Sequence, residues 1–243
     1  MINVVIPMAG EGARFKKEGY KRAKPFIEFE GKTMVEHVLE GLECADASYT
    51  LVIRRSFLDE YKSELDFLSG RYNVRFSVVD GCTVGALATA LSAFECLDAK
   101  SHVVFADSDN IFSAGVFKNF VRDALSRKLD ASLLTFKSSD ERFSYVRVDD
   151  GGFALETREK EPISSHAIAG AYMFSSGALF VKCAILTLIY PPDRNEYFMS
   201  GAYNTLIRLG CKCGIFEIAE SDFACTGTPQ QLRAYLDSKS GAL

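Results

Sequence analysis

Ile2-Asn3-Val4-Val5-Ile6-Pro7-Met8-Ala9-Gly10-Glu11-Gly12-Ala13-Arg14, followed by Lys24-Pro25, is the stretch that decides the fold. An apolar strand runs into a loop with alternating glycines, then an arginine, then a lysine fixed before a proline. Glycine has no Cβ, so the loop Met8-Ala9-Gly10-Glu11-Gly12 can bring its backbone close to a phosphate. Its N–H groups form an anion-binding concavity, and Arg14 and Lys24 bring the countercharge. A bare Gly-x-Gly would equally serve an ordinary strand-to-loop turn, so the reading rests on what accompanies it.

Apolar strands alternate with amphipathic segments along the first part of the chain, the pattern of a wound α/β domain. Strands are predicted at Asn3–Ile6, Thr50–Ile53, Val74–Val79, Val103–Phe105 and Ala131–Thr135, with helical spacing over Thr33–Cys44, Phe57–Leu68, Gly85–Leu97 and Ala114–Arg127. The alternation then breaks. Tyr145–Val148, Phe153–Glu156 and Ala169–Phe174 read as strands around an Asp149-Asp150-Gly151-Gly152 turn, followed by helices at Gly177–Leu188 and Tyr197–Leu209 and a strand at Gly214–Ile218. Thr228-Pro229 supplies the cap and first residue of a last helix reaching about Leu236. Ser238–Leu243 reads as a frayed tail.

Ligands of open α/β sheets sit outside the carboxyl ends of the strands. The glycine loop follows the first strand and Asp107 follows the strand ending at Phe105, so both point to the same sheet edge. Asp107 and Asp109 alternate by two, which on an extended backbone puts both carboxylates on one side. Two hard oxygen donors beside phosphates suit Mg²⁺. An Asx-rich turn closing a strand would look the same in isolation.

Together these residues resemble the nucleotidyltransferases that activate sugar 1-phosphates and related phosphorylated metabolites. Ala9-Gly10-Glu11-Gly12-Ala13-Arg14 and Lys24-Pro25 match their opening signature. The likeness continues at Asp107-Ser108-Asp109-Asn110, Glu159-Lys160, Ser164…Gly170-x-Tyr172-x-Phe174 and Thr226-Gly227-Thr228-Pro229, in the right order over almost the whole chain. It implies one Rossmann-like three-layer α/β domain with a mostly parallel mixed central sheet, of the nucleotide-diphospho-sugar transferase or GT-A-like kind. Its nucleotide-binding part would span about residues 1–136 and its acceptor-binding part about 137–243.

The resemblance also implies roles. Lys24 would meet the α-phosphate, and Arg14 with the Gly10–Gly12 amides would meet the β and γ phosphates. Asp107 or Asp109 would hold the catalytic Mg²⁺. Glu159, Lys160, Gly170 and Tyr172 would line the acceptor site, with Lys160 on the acceptor's phosphate. Arg158, Arg194, Glu196 and Tyr197 are further, unranked candidates there. Many relatives place a second metal-binding aspartate directly before the Thr-Gly-Thr motif, but this chain has Cys225, a poor magnesium ligand. Either Asp222 or Glu220 substitutes from a shifted position, or phosphate and water complete the site. Where relatives read uracil or thymine with a glutamine before a Gly-x-Ala helix start, here Gly85-Ala86, this chain has Asp80. A carboxylate only accepts hydrogen bonds, which favours the cytosine amine and then guanine. The expected reaction is transfer of a nucleotidyl group from CTP, or else GTP, to a phosphorylated small molecule with release of pyrophosphate. Small cytidylyltransferases of this shape act on phosphocholine, phosphoglutamine or similar acceptors in capsule and surface-polysaccharide pathways.

Two other readings stay open. Asp107-Ser108-Asp109 is also the DxD motif of GT-A glycosyltransferases, although those lack a glycine loop with its lysine. A catalytically dead nucleotide sensor would account for Cys225 but not for an intact Lys24, Asp107 and Asp109.

The bulk numbers are compatible. The 243 residues carry a formal net charge of −4, which argues against a nucleic-acid partner. Lys16, Lys17, Lys21, Arg22 and Lys24 form a local basic cluster read as steering for a polyanion. Five dispersed cysteines, a Cys211-Lys212-Cys213 pair without the two-residue gap of a zinc knuckle and three histidines without metal-ligand spacing read as reduced, mostly buried thiols and no zinc site. No run approaches the length of a membrane span and no leader is evident, so a cytoplasmic enzyme is expected, with self-association left open.

Overall fold

Hydrophobic residues broken only by Asn3 make Ile2–Pro7 a strand buried on both faces. The computed structural model describes residues 2–192 and 195–240. In chain order these form β1 (Ile2–Pro7), α1 (Ala13–Lys17), β2 (Glu28–Phe29), β3 (Lys32–Thr33), α2 (Met34–Gly41), β4 (Ala47–Arg54), α3 (Phe57–Glu60), α4 (Lys62–Arg71), β5 (Val74–Val79), α5 (Ala86–Leu91), β6 (His102–Ala106) and β7 (Asn110–Phe112). There follow α6 (Val116–Ser126), β8 (Ala131–Lys137), β9 (Tyr145–Val148), β10 (Ala154–Arg158), β11 (His166–Phe174), α7 (Gly177–Leu188), α8 (Met199–Arg208), β12 (Cys213–Ile218), β13 (Phe223–Cys225) and α9 (Pro229–Ser240).

The central sheet has nine strands in the path β10-β9-β11-β6-β1-β4-β5, with β8 pairing to β11 and β12 to β8. β1, β4, β5 and β6 run parallel, whereas β11 joins β6, β8 and β9 antiparallel. Alternate residues of β1 serve opposite faces: Val4 and Ile6 enter a core with Val38, Leu65, Phe117 and Phe120, and Val5 enters another with Leu87, Phe180, Ala184 and Leu206. Helices α2, α4 and α6 thus cover one face and α5, α7 and α8 the other, the expected single three-layer mixed α/β domain. A smaller cluster of Phe15, Ile27, Phe29, Met34 and Leu232 docks α9 onto α1 and the β2–β3 hairpin. That docking brings the end of the chain beside its start.

Several elements differ from the sequence expectation. The expected helix over Phe57–Leu68 breaks at Tyr61, whose ring stacks on Phe26 at 4.1 Å and whose hydroxyl accepts the Ala23 N–H at 2.7 Å. The helix expected to reach Leu97 ends at Leu91, with a separate 3-10 turn at Phe94–Cys96. Short α1, the β2–β3 hairpin and the β7–β13 pair carry no periodic signal and were not expected. Helix α9 continues to Ser240 in place of a tail fraying from Ser238; residues 241–243 lie outside the described set. All seven cysteines are free, but only Cys183 and Cys213 are fully buried and Cys82 is exposed, so the expectation of mostly buried thiols is corrected.

Candidate active site

The parallel strands end on one side of the sheet, and the loop after β1 opens there. Nothing lies within 4 Å of where a Gly10 Cβ would stand, so that backbone is open to a ligand. Gly12 caps α1 with φ +63°, and a Cβ there would lie 3.1 Å from the Lys24 Cβ; the second glycine therefore makes room for Lys24. Lys24 begins a 3-10 turn anchored by Phe26, which is fully buried. From there its Nζ reaches Asp109 Oδ2 at 2.7 Å. Burial opposes the ammonium charge, but the Asp109 carboxylate outweighs it and holds Lys24 above its ordinary pKa. Arg14, exposed on the first turn of α1, has no carboxylate partner among the described residues and lines the same cavity.

That cavity has a volume of about 790 Å³ and takes in both aspartates, Glu159, Lys160 and Tyr172. Asp107 and Asp109 do not share one extended strand. Strand β6 stops at Ala106, and the backbone turns through Ser108 and Asp109 before β7 begins. The turn is held at both ends: Asp107 N–H donates to Gly170 O at 2.8 Å, and Thr226 N–H donates to Asp109 O at 2.8 Å. Asp107 therefore faces Asn110, whose Nδ2 donates to its Oδ2 at 3.3 Å, while Asp109 faces Lys24 and Gly227. Burial, reinforced by the Asp109 charge, pushes Asp107 up to about 8.

Gly170 sits at an irregularity of β11 with φ +82°, a conformation that strains any residue with a Cβ. A Cβ there would collide with Asn110 Nδ2 and Asp107 Oδ2. The expected acceptor glycine thus gives the aspartate its space. Beyond it, Glu159 follows β10 with its side chain only 10% exposed, its carboxylate accepting the Ser144 and Ser200 hydroxyls. Its neighbour Lys160 adopts φ +53° and places Nζ 5.2 Å from the Phe198 ring centroid. Glu159-Lys160 is therefore part of the cavity wall and not a solvated surface pair. Tyr172 is buried on β11, and burial raises its phenol well above the ordinary value.

Other expectations fall elsewhere. Asp80 does not line the cavity; its side chain is 85% exposed and pairs with Arg55 at 2.6 Å, because the two residues end adjacent parallel strands β5 and β4. Gly85 is not open to a nucleotide on its Cβ side, where the Tyr197 backbone N and O stand 2.5 Å from an added Cβ. Neither Glu220 nor Asp222 borders the cavity, whereas Cys225 does, and burial pushes its thiol up to about 12. Within the basic cluster, Arg22 is spent on Glu28 and Glu64. Glu196 and Tyr197 border an adjoining hollow of about 470 Å³ that shares Glu159 and Phe198 with the main cavity. Arg158 pairs with Glu156 at 2.7 Å, and Arg194 lies outside the described residues. The cavity also contains residues that sequence reasoning missed. Ser144, Phe198 and Arg142 carry no pattern to find them by.

The fit to a divalent cation can be judged from the donor set. No group of three or more His, Cys, Asp or Glu among the described residues could enclose a metal. Asp107 and Asp109 instead offer a crowded pair of hard carboxylates, one of them driven toward protonation. That suits Mg²⁺, which binds through one or two carboxylates and completes its shell with phosphate and water.

An open glycine loop, a half-buried lysine and paired carboxylates converging at one edge of a mixed sheet define a nucleotidyltransferase. Residues 4–179 match the model of the MobA-like NTP transferase domain, and the chain belongs to that family. It is 27% identical over 217 residues to the UTP–glucose-1-phosphate uridylyltransferase AglF of Haloferax volcanii, covering 86% of this chain and 85% of that one. Among solved structures, the nucleoside-diphosphate-sugar pyrophosphorylase of Vibrio cholerae RC9 superposes with a TM-score of 0.85 at 23% identity, over 96% of this chain and 99% of that one. The inositol-1-phosphate CTP transferase of T. maritima gives 0.78 at 15% identity, over 97% and 92%. At such identities the two structures attest the fold.

Proposed function

We propose that this enzyme transfers a nucleotidyl group from a nucleoside triphosphate, CTP first and GTP second, to a phosphorylated small molecule such as a sugar 1-phosphate, phosphocholine or phosphoglutamine. The observation that carries the reading is the 2.7 Å contact between Lys24 and Asp109, which joins the glycine-loop motif to the acidic motif at a single point. Family membership favours this reading over a DxD glycosyltransferase.

The acceptor phosphate is largely dianionic near neutral pH, its second pKa being about 6, so it needs no general base. Its oxygen attacks the α-phosphorus; a new O–Pα bond forms, the bond from Pα to the bridging oxygen of the β-phosphate breaks, and pyrophosphate leaves with the electron pair. Catalysis is then placement and neutralisation of charge. The Gly10 and Gly12 amides with Arg14 would hold the β and γ phosphates, and Lys24, held in place by Asp109, would meet the α-phosphate. Glu159 and Tyr172 would orient the acceptor, with Lys160 on its phosphate. Asp109, and Asp107 once ionised, would hold Mg²⁺, which would supply positive charge to the phosphates. Seven free thiols support a reducing, cytoplasmic setting. The preference for CTP rests on the Asp80 carboxylate, an acceptor only, which stands outside the main cavity paired with Arg55.

Thermal shift with Mg²⁺ and each of CTP, GTP, UTP, dTTP and ATP tests the proposal, with UDP-glucose alongside. A ligand at 100-fold its dissociation constant adds about 2.7 kcal/mol to native stability. A selective rise with one triphosphate, followed by acceptor-dependent pyrophosphate release, is expected. A response to UDP-glucose alone would overturn it.

A further inference from the structure

Arg142 has no place in the mechanism above, yet it borders the main cavity and a second hollow behind it that is edged by Cys225 and Gln231. The segment that carries it, between β8 and β9, is firmly built. Asp140 N–H donates to Ser138 Oγ at 3.1 Å, Arg142 N–H to Asp140 Oδ1 at 3.0 Å, and Tyr145 Oη to Asp140 O at 2.8 Å. Phe143 packs edge-on against Phe136, with ring centroids 5.1 Å apart. Ser144, the next residue, donates to the Glu159 carboxylate. The Arg142 backbone is therefore fixed relative to the Glu159-Lys160 wall.

Its side chain is committed to one local partner. The guanidinium pairs with Asp140, two positions away on the same segment, through Nε at 3.0 and 2.8 Å and through Nη2. The arginine side chain is 60% exposed, and its Nη1 has no hydrogen-bond partner among the described residues. The pair closes within one loop and ties no two elements together, so exchanging Asp140 for another anion breaks no contact between elements. The cavity's charge balance points the same way. Asp107, Asp109, Glu141 and Glu159 line it, Arg14 stands at the glycine loop, and Lys24 is already engaged by Asp109. Beside Glu159 the other cation is Lys160, whose ammonium lies over Phe198. A phosphate dianion entering there would need a second cation, and an arginine fork matches two phosphate oxygens.

We propose that Arg142 leaves Asp140 to bind the acceptor's phosphate, with Lys160 as the other cation, making it a substrate ligand for phosphate monoesters. The assignment rests on the nucleotidyltransferase reading of the cavity. Its test is binding, measured by titration calorimetry with glucose 1-phosphate and phosphocholine as monoester probes, in wild type, Arg142→Ala, Arg142→Lys and Asp140→Asn. Each variant is also titrated with Mg²⁺ and the triphosphate that stabilises wild type. Arg142→Ala is expected to weaken the preferred monoester about tenfold or more while leaving the triphosphate within about twofold. Arg142→Lys should fall between, since it keeps charge without the fork. Asp140→Asn keeps the acceptor for the Arg142 N–H, so it should preserve the loop and tighten monoester binding, an effect that a purely structural arginine would not produce. Unchanged monoester affinity in Arg142→Ala, equal weakening of both ligands, or no monoester binding by wild type would overturn the proposal. Loss of triphosphate binding by wild type would instead sink the reaction itself, while arginine-dependent monoester binding would still stand.

Discussion

The two walls of the cavity hold their charges in opposite ways. On the wall of the glycine loop, Lys24 is paired with Asp109, 85 positions away, in a contact drawn largely out of solvent. On the wall of β10, the carboxylate of Glu159 is enclosed by hydroxyls, but the cations Lys160 and Arg142 lie nearer solvent and pair with residues one or two positions away. A long-range, half-buried pair can only exist in the folded protein, so its geometry is set before any ligand arrives. A local exposed pair leaves its cation free to follow the ligand. The first wall suits a constant part of the chemistry, a triphosphate, and the second suits an acceptor whose shape varies between relatives.

If that contrast is correct, removing Lys24 should have the largest effect. Lys24→Ala is expected to slow pyrophosphate release by about 10²–10³-fold or more, the loss typical of one preorganised group at a developing charge. It should also leave Asp109 without its cation, so a stability cost is expected that added Mg²⁺ restores more fully in the variant than in wild type. Near-normal turnover, or a stability loss that Mg²⁺ does not repair, would break the picture of a preset wall.

Asp107 sharpens the comparison through pH. Burial and the Asp109 charge raise it to about 8, whereas an unfolded aspartate titrates near 3.9. Between those values the folded protein keeps a proton that the unfolded chain releases. The resulting stability is complete below about pH 4 and is lost as pH rises toward 8. Asp107→Asn removes this dependence. In metal-free buffer its melting temperature should match wild type near pH 4 and exceed it progressively up to about pH 8. A constant difference across that range would mean that Asp107 is ionised throughout.

These effects also show which parts of the molecule can be read from sequence. β1, β5, β9 and α7 are legible because a run of apolar, β-branched or helically spaced residues leaves a repeating mark over several positions. The glycine loop with Lys24 is legible because few backbones accept that spacing. The division of labour between Asp107 and Asp109 is not, since it depends on a turn held by Gly170 and Thr226, which are remote in the chain. Likewise Gly85 carries a glycine for the Tyr197 backbone, and Cys225 borders the cavity as a neutral thiol without any signal in its neighbours. Ser144, Ser200 and Arg142 acquire their meaning only when β9, β10 and α8 are brought together.

The smallest effect is expected at Asp80, which belongs to neither wall. Its pair with Arg55 is exposed on both sides, so it should contribute no more than about 1 kcal/mol to stability. Asp80→Asn is therefore expected to leave the melting temperature and maximal turnover almost unchanged. An amide offers a donor as well as an acceptor, so the variant should lose preference for CTP or GTP and gain acceptance of UTP, read as the ratio of kcat/KM values across the triphosphates. The uridylyltransferase named among the relatives makes UTP the informative competitor. If wild type already prefers UTP, or if the ratio does not move in the variant, Asp80 and Arg55 are a surface pair, and base choice lies closer to the glycine loop.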